Sequence, residues 1–550
     1  MPWLREDELR IGLGCMRLEP DDTATIAAAV AAGVTVFDTA RAYEGGEELL
    51  ARALAGVEGA RVVTKGGMSR PDGAWVPDGR AKAIRADCEA SLAALGGREV
   101  DLYLLHAPDA RTPWSTSVRA LGRLLDEGLV ARVGVCNVTR AQLDEAVDIA
   151  PIAAVQVGLS VLDDRVLRGG VVERCFELGI ALVAHSPLGG PRSTRGLAKH
   201  AVLAEFAKER GVSEAEVALA WLLSLGPHVV AIPGARRPDA ARSAARAASL
   251  TLSEQERDRL HPSRPCSTSP RTAGDVALVM GVPGAGKSRL AAGYVERGYV
   301  RLNRDEEGGS LRDLAVALDG ALEEGARDVV LDNTYLTRAA RSYVLESAAR
   351  HGATVRCVWL DTPLAQAQVN LVERLLDRFG DLPAPAELKA AARLEAGLLS
   401  PTQQMRAFRE LEPPGDDEGF ASVERIAFAR APSGGAQGVF VAADSIGALP
   451  VGTAAPHLVF DWRPDGDVAD LAEARARVEA VAEGTVEAAV CPHPGGAPIC
   501  WCRPPLPGLA LAFARRHGVD PAKSLLLGAS AAHRTLANAL GARFVDGAEG

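Results

Sequence analysis

The sequence predicts an α/β protein built of three parallel-sheet modules, and three observations carry that prediction. Before residue 262, short β-rich runs alternate eight times with helical stretches. From Asp275 an apolar strand runs into a glycine-rich turn and then a helix. Beyond residue 437, strand and helix patterns resume on the far side of a small Gly/Pro/Ser break. A chain of 550 residues is also too long for one ordinary core.

The eight early runs are Leu9–Gly14, Val34–Thr39, Arg61–Lys65, Leu102–His106, Arg132–Val135, Ala153–Val157, Ile180–His185 and Val229–Pro233. Eight strands alternating with helices predict a (β/α)8 TIM barrel over residues 1–262, whose chemistry gathers at the strand C-terminal ends. Asp38 ends the second run in FDTARAY, with Tyr43 in the loop after it; Lys65 ends the third and His106 the fourth.

The stretch His261–Asp275 (HPSRPCSTSPRTAGD) has no periodicity and reads as a linker, placed at 263–273. A weaker break, Ala431–Gly438, separates a second domain at 274–432 from a third at 437–550. No apolar run is long enough to span a bilayer, and the charged MPWLREDELR start has no apolar core of a secretion signal, so no membrane association is expected. Of nine cysteines, six are scattered singly and three cluster near the C-terminus, which suits a reducing cytoplasm and one metal site rather than a disulfide framework. A net charge of −10 argues against sequence-independent coating of nucleic acid, yet allows a local pocket for a strand end. Oligomeric state is not legible.

The barrel residues resemble the aldo-keto reductase family over essentially the whole first domain. The resemblance implies that Tyr43 donates a proton as hydride from NADPH reaches a carbonyl carbon, that Lys65 paired with Asp38 lowers the Tyr43 pKa, and that His106 orients the carbonyl. Asn137 in GVCNVT, Gln156, and Ser186 in HSPLGG are the matching cofactor-side residues, and Arg236, Arg237 and Arg242 could neutralise a 2′-phosphate. Two departures stand out: Leu159 falls where the family stacks an aromatic on nicotinamide, and Ser243 and Ala244 fall where it has Glu-Asn.

In the second domain, Gly281-Val-Pro-Gly284-Ala-Gly286-Lys287-Ser288 is a Walker A pattern in its strand–loop–helix context. It predicts a P-loop NTPase-type fold in which backbone N–H groups hold phosphate oxygens, Lys287 neutralises the β/γ-phosphates of ATP, and Ser288 holds Mg2+. The segments around Asn303-Arg304-Asp305, Arg312 and Asp332-Asn-Thr resemble the polynucleotide 5′-kinases. The resemblance implies that Asp305 is the base for a 5′-hydroxyl, Arg312 fixes the acceptor, and Asp332 stands near Mg2+. It also implies that Arg374 (or Arg378), on a lid-like amphipathic helix VNLVERLLDRFG, stabilises the transferring phosphoryl group.

The third domain resembles haloacid-dehalogenase (HAD) phosphatases of the histidinol-phosphatase type, a Rossmannoid α/β fold. Ala442 stands at the nucleophile position, Asp444 alone remains of the aspartate pair, Pro504 replaces a lysine, and Ser530 replaces a magnesium-binding acid. Alanine cannot form an aspartyl-phosphate, so the module is expected to be non-catalytic. Cys491, His493, Cys500 and Cys502 give C-x-H…C-x-C, suited to a closed structural Zn2+ site.

Kinase joined to phosphatase is the arrangement of nucleic acid repair enzymes that heal strand ends. The leading expectation is therefore an ATP- and Mg2+-dependent kinase acting on 5′-hydroxyl RNA or DNA ends. The alternatives are an NADP-dependent reductase with regulatory nucleotide-binding domains, or a small-molecule kinase with scaffold domains.

Overall fold

The computed structural model describes residues 3–5, 8–190, 197, 199–260, 274–429, 434–445 and 454–547. The expected linker at 263–273 and residues 431–433 of the expected break at 431–438 lie outside these residues. The chain divides into two compact units, Met1–Arg264 and Pro265–Gly550. No helix among the described residues is long and apolar enough to cross a membrane.

The first unit is a parallel eight-stranded sheet in sequential order: Leu13–Gly14, Val36–Asp38, Arg61–Gly66, Leu102–Leu105, Val133–Cys136, Ile152–Gly158, Ala181–His185 and Val229–Ile232. A bridge between Ile11 and Ala231 joins the two ends, with Gly12 N–H donating to the Ala231 carbonyl at 2.8 Å. The first run is shorter than expected because residues 10–12 pair with the last strand only. Strands buried on both faces read as apolar runs, and the interior is filled by such residues as Val36, Val63, Leu104 and Val183. A small antiparallel hairpin, Met68–Ser69 with Val76–Pro77, follows the third strand and was not expected.

The second unit holds two five-stranded parallel sheets. The first has the order Val300–Leu302, Asp328–Asp332, Asp275–Met280, Thr354–Asp361, Ser422–Ala427. The second has the order Val486–Cys491, His457–Trp462, Val439–Ala442, Leu525–Gly528, Arg543–Asp546. A buried Arg341–Glu418 pair (2.8 and 2.6 Å) ties the chain's return near residue 418 to the helix Arg338–Arg350 of the first sheet.

The two sheets do not behave as the separate domains expected on either side of residue 432. The helix Leu364–Phe379 buries Val369, Leu371, Val372, Leu375 and Leu376 in one core with Phe440, Phe460, Phe513 and Leu536 of the second sheet and its helices. At about 1.5–3 kcal/mol for each buried aliphatic side chain, five of them contribute roughly 8–15 kcal/mol. Moving the helix away from the second sheet would expose these side chains, so it packs as a seam between the two sheets. Its amphipathic pattern arises from this packing. Polar contacts add to it: Gln366 donates to the Ala539 carbonyl at 2.9 Å, Trp501 to that of Leu399 at 2.9 Å, and Arg515 pairs with Asp377 at 2.6 Å.

Candidate active site

At the barrel mouth, Lys65 is fully enclosed, and its ammonium donates to Asp38 Oδ1 at 2.7 Å and to the Thr39 carbonyl at 2.8 Å. Asp38 Oδ2 accepts from Gln156 Nε2 at 2.7 Å, so this carboxylate is held from two strands. Parallel register puts Asp38 opposite Val63, two residues short of Lys65, which lets the lysine reach back across the strand ends. Burial opposes the Lys65 charge, but Asp38, with Tyr43 and Cys136, outweighs it, and the ammonium is held above its ordinary range.

The Tyr43 ring lies 5.2 Å from Lys65 Nζ and packs edge-on to His106 at 5.7 Å. Lys65 pulls the Tyr43 pKa down as expected, yet burial is the larger effect and the net shift is upward. The expectation of a lowered phenol is thus corrected for this state: removal from water disfavours the phenolate more than one cation favours it. His106 is pushed down to about 3, first by burial and then by Lys65 and His185. It is therefore a neutral imidazole at physiological pH, and its Nδ1 is buried without a partner.

The turn after the Val133–Cys136 strand places Asn137 through a capping box. Thr139 accepts from Gln142 N–H at 3.3 Å, and Gln142 Oε1 accepts from Thr139 N–H at 3.0 Å. Asn137 adopts a left-handed φ of 56°, its amide donating to the His106 carbonyl at 3.0 Å. Its Oδ1 accepts from His185 Nε2 at 3.0 Å, which leaves His185 Nδ1 to accept from Ser186 Oγ at 3.2 Å. Ser186 is also left-handed, at φ 52°. Two non-glycine residues in this region, costing about 1–3 kcal/mol each, sit side by side at the candidate site.

A cavity of about 980 Å3 brings these groups together: Asp38, Tyr43, His106, Asn137, Gln156 and Ser186 line it, as do Arg236, Arg237, Ser243 and Ala244. Lys65 lies behind this wall. Leu159 does not line it; its side chain is buried in the barrel's outer core, so it is not the nicotinamide-facing residue. Arg242 is also excluded, being paired with Asp239 at 2.8 Å on the surface. Sequence reasoning gave no role to His185 or Trp75. Trp75 comes in on the unexpected hairpin's connection and packs 5.5 Å from His106 and 6.2 Å from Tyr43.

In the second unit, the phosphate loop follows the strand Asp275–Met280 and opens the helix Lys287–Val295. Gly281, Gly284 and Gly286 have φ of 151°, 87° and 95°. At Gly284 a Cβ would stand 2.3 Å from the Ala367 carbonyl, so only glycine lets the helix Leu364–Phe379 approach. Successive loop carbonyls are taken from the protein side: Lys287 donates to those of Gly281 and Val282 (3.0 and 3.1 Å), Gln404 to Pro283 (3.0 Å), Asn370 to Gly284 (2.7 Å) and Thr362 to Ala285 (3.2 Å). Fixing the carbonyls inward is what frees a nest of N–H groups for an anion.

Lys287 is pushed down to about 8, chiefly by burial, with Arg374 acting in the same direction and Asp332 and Asp305 opposing. Lys287, Asp305, Asp332 and Arg374 are therefore within electrostatic reach of one another. Asp332 ends its strand almost fully buried and pairs with Arg301 at 2.6 Å; Arg301 also reaches Glu306 at 2.7 Å. Arg301 was missed because nothing in YVRLNRDEEGG marks which arginine turns inward. Asp305 N–H donates to Asn303 Oδ1 at 2.7 Å, and Asn303 donates to the Asp332 carbonyl at 2.7 Å, so the acid pair shares one scaffold.

Ser288 is exposed in the first turn of its helix. Arg312 is exposed in the first turn of the helix Leu311–Glu323, where its charge acts on Asp313; it is not among the groups acting on Lys287. Arg378 is engaged with Glu395 at 2.7 Å on the surface, whereas Arg374, also exposed, lines the cavity beside the phosphate loop and acts on Lys287.

In the second sheet, Ala442 is buried at its strand end, Asp444 is exposed, Pro504 is half-buried and Ser530 caps the helix Ala531–Leu540. Cys491, His493, Cys500 and Cys502 converge, their ligand atoms all within 4.8 Å of one another. Cys491 Sγ lies 3.6 Å from Cys500 Sγ and 3.3 Å from Cys502 Sγ, and His493 Nδ1 lies 3.2 Å from Cys502 Sγ. Tetrahedral zinc–thiolate bonds of about 2.3 Å require S···S edges of about 3.8 Å, so the set fits such an ion with small outward shifts.

Residues 10–263 match the Aldo/keto reductase family, and residues 276–396 match an AAA domain family. An uncharacterized oxidoreductase of Schizosaccharomyces pombe is 30% identical over 261 residues, spanning 45% of this chain and 83% of that protein. An aldo-keto reductase from Klebsiella pneumoniae, solved in complex with NADPH, is 28% identical with a TM-score of 0.41, covering 46% of this chain and 91% of its own. A glycerol dehydrogenase from Gluconobacter oxydans is 26% identical with a TM-score of 0.42, covering 49% of this chain and 100% of its own. Through its N-terminal barrel, the chain belongs to the aldo/keto reductase family.

Proposed function

We propose that the barrel is an NADP(H)-dependent carbonyl reductase. The observation that carries this reading is the buried Lys65–Asp38 pair beneath Tyr43, facing one cavity with a neutral His106. Arg236 and Arg237, exposed at the cavity margin, fit the phosphates of NADP(H), and Asn137, Gln156 and Ser186 fit its carboxamide end. The cofactor supplies hydride when bound. Tyr43 then gives its hydroxyl proton to the carbonyl oxygen as negative charge builds there. Lys65, kept charged by Asp38, stabilises the phenolate that remains. His106, unable to carry charge near neutral pH, orients the carbonyl as a neutral donor. The test is NADPH oxidation with a panel of aldehydes: Tyr43→Phe should lower kcat by about 10²–10⁴-fold with NADPH affinity kept. Undiminished turnover in that variant would refute the assignment.

A second reading concerns the other unit, and the favouring observation is that Asp305 and Asp332 are joined through Asn303 and both act electrostatically on Lys287 at the phosphate loop. We propose an ATP-dependent kinase whose acceptor is the 5′-hydroxyl of RNA or DNA. Asp305 takes the hydroxyl proton as the O–P bond to the γ-phosphorus forms, and ADP leaves as the bond to the β-phosphate oxygen breaks. Ser288 would hold Mg2+, with Asp332, already paired to Arg301, facing the ion's water. Arg374 offsets phosphate charge from a fixed position rather than by closing. Arg312, exposed in the first turn of its helix, is the residue proposed to hold the acceptor strand. Transfer of labelled γ-phosphate to short 5′-hydroxyl strands, lost in Lys287→Ala and Asp305→Ala, would support this; transfer only to small alcohols would replace the acceptor. The second sheet, lacking a carboxylate at 442, is read as a non-catalytic HAD-like module with structural zinc. A cytoplasmic setting suits the unpaired thiols Cys15, Cys88, Cys136, Cys175 and Cys357.

A further inference from the structure

The phosphate loop has two sides. On one, Asp305 and Asp332 are joined through Asn303 and act on Lys287, which under the phosphotransferase reading marks the reacting end of a bound triphosphate. On the other opens a cavity of about 1220 Å3, which meets the loop at Gly284–Gly286 and at Arg289 and which Lys287, Ser288, Asp305 and Asp332 do not line. The non-reacting end of a phosphate donor can leave the loop only away from the acid pair, and this cavity is there to receive it. Its volume is ample for a nucleoside, since small-molecule sites run to about 300–1000 Å3.

The far wall of that cavity is not part of the P-loop sheet. It is formed by Leu511, Ala514 and Arg515 of the helix Gly508–His517 and by Gly518–Asp520 after it, all from the second sheet's module. Aliphatic side chains line the middle, among them Leu290, Leu360 and Ile426, a surface suited to a flat heterocycle. Arg289 and Arg515 line it as polar points, while Arg374 is shared between this cavity and the groups that act on Lys287. The far wall is held in register with the loop by one helix. Asn370 of Leu364–Phe379 grips the Gly284 carbonyl, while Asp377 of the same helix pairs with Arg515.

We propose that the C-terminal module is the outer wall of the nucleoside pocket: the base and ribose of a bound nucleoside triphosphate lie between the phosphate loop and the helix Gly508–His517. A module without a catalytic carboxylate thereby has a direct role in binding. This inference rests on the reading of the P-loop unit as a nucleoside triphosphate-dependent phosphotransferase.

The test uses the full wild-type chain with 8-azidoadenosine triphosphate and Mg2+, irradiated with and without excess ATP, and maps the labelled peptides by mass spectrometry. ATP-protected label within 508–521 is the expected result. Protected label confined to 276–429 overturns the pocket while leaving the phosphotransferase reading intact. No protected label anywhere overturns both. A second arm compares Ala514→Phe with the wild type for ATP and for inorganic tripolyphosphate, which needs only the loop. Ten-fold or greater loss for ATP with tripolyphosphate binding kept is expected; unchanged ATP affinity, or equal loss of both, contradicts the wall.

Discussion

Replacing Asp38 by asparagine tests the pair at the heart of the barrel site. The Lys65 ammonium is 1% exposed, and its remaining partner would be the Thr39 carbonyl at 2.8 Å. Removing one member of a buried pair leaves an uncompensated charge, a loss of about 3–5 kcal/mol. Each 1.36 kcal/mol is a factor of ten, so barrel opening should become roughly two to four orders of magnitude more frequent. Because the chain has two units, a single melting midpoint is not a clean measure. Hydrogen exchange by mass spectrometry, followed on peptides covering Arg61–Gly66 and Leu102–Leu105, isolates the barrel. The double variant Asp38→Asn/Lys65→Met removes the stranded charge and should recover much of the protection. Exchange unchanged in Asp38→Asn, or no recovery in the double variant, would refute the argument that Asp38 is what keeps Lys65 charged in the interior.

Other expectations follow from the same electrostatics. An unfolded imidazole titrates near 6.5, whereas folded His106 and His185 sit at about 3 and about 4. As pH falls below about 6.5 the unfolded chain takes up protons that the folded barrel does not, so stability is lost by up to about 1.4 kcal/mol per pH unit for each histidine. His106→Gln should remove one of these two slopes in a pH series of barrel hydrogen exchange. Lys287, at about 8 in the free protein, should gain close to half a proton when ATP binds at pH 8 and almost none at pH 6. Calorimetry in buffers of different ionisation enthalpy reads this directly; zero uptake at pH 8 would contradict it. Purified chain should carry about one zinc, and Cys500→Ser should lose it while NADPH oxidation in the barrel stays unchanged. Elemental analysis beside the reductase assay checks both.

The barrel was legible because its chemistry repeats at strand ends: Asp38, Lys65 and His106 each close an apolar run. Asn137, Gln156 and Ser186 were placed by the family resemblance, through GVCNVT, Gln156 itself and HSPLGG. No role followed for His185, although it closes its own run, or for Trp75, since their approach to Asn137, Tyr43 and His106 depends on the barrel's closure and on a hairpin too short to leave a periodic signal. The phosphate loop reads from its glycines, yet the reason Gly284 must be glycine is the Ala367 carbonyl, about eighty residues away. The helix Leu364–Phe379 shows the limit most clearly. Its apolar stripe declares that something covers it, but an amphipathic pattern is the same for a lid over solvent and for a seam between two sheets. Arg312 shows a related limit: its position on a helix start is readable in the sequence, but the direction in which that start faces is not.

Two separate active sites, one in each compact unit, are proposed for this chain. Measuring carbonyl reduction and γ-phosphoryl transfer side by side in the full-length wild type, Tyr43→Phe and Lys287→Ala tests this most directly. The account predicts that Tyr43→Phe loses reduction and keeps transfer, and that Lys287→Ala does the reverse. Loss of both activities in either variant, or retention of reduction in Tyr43→Phe or of transfer in Lys287→Ala, would contradict it.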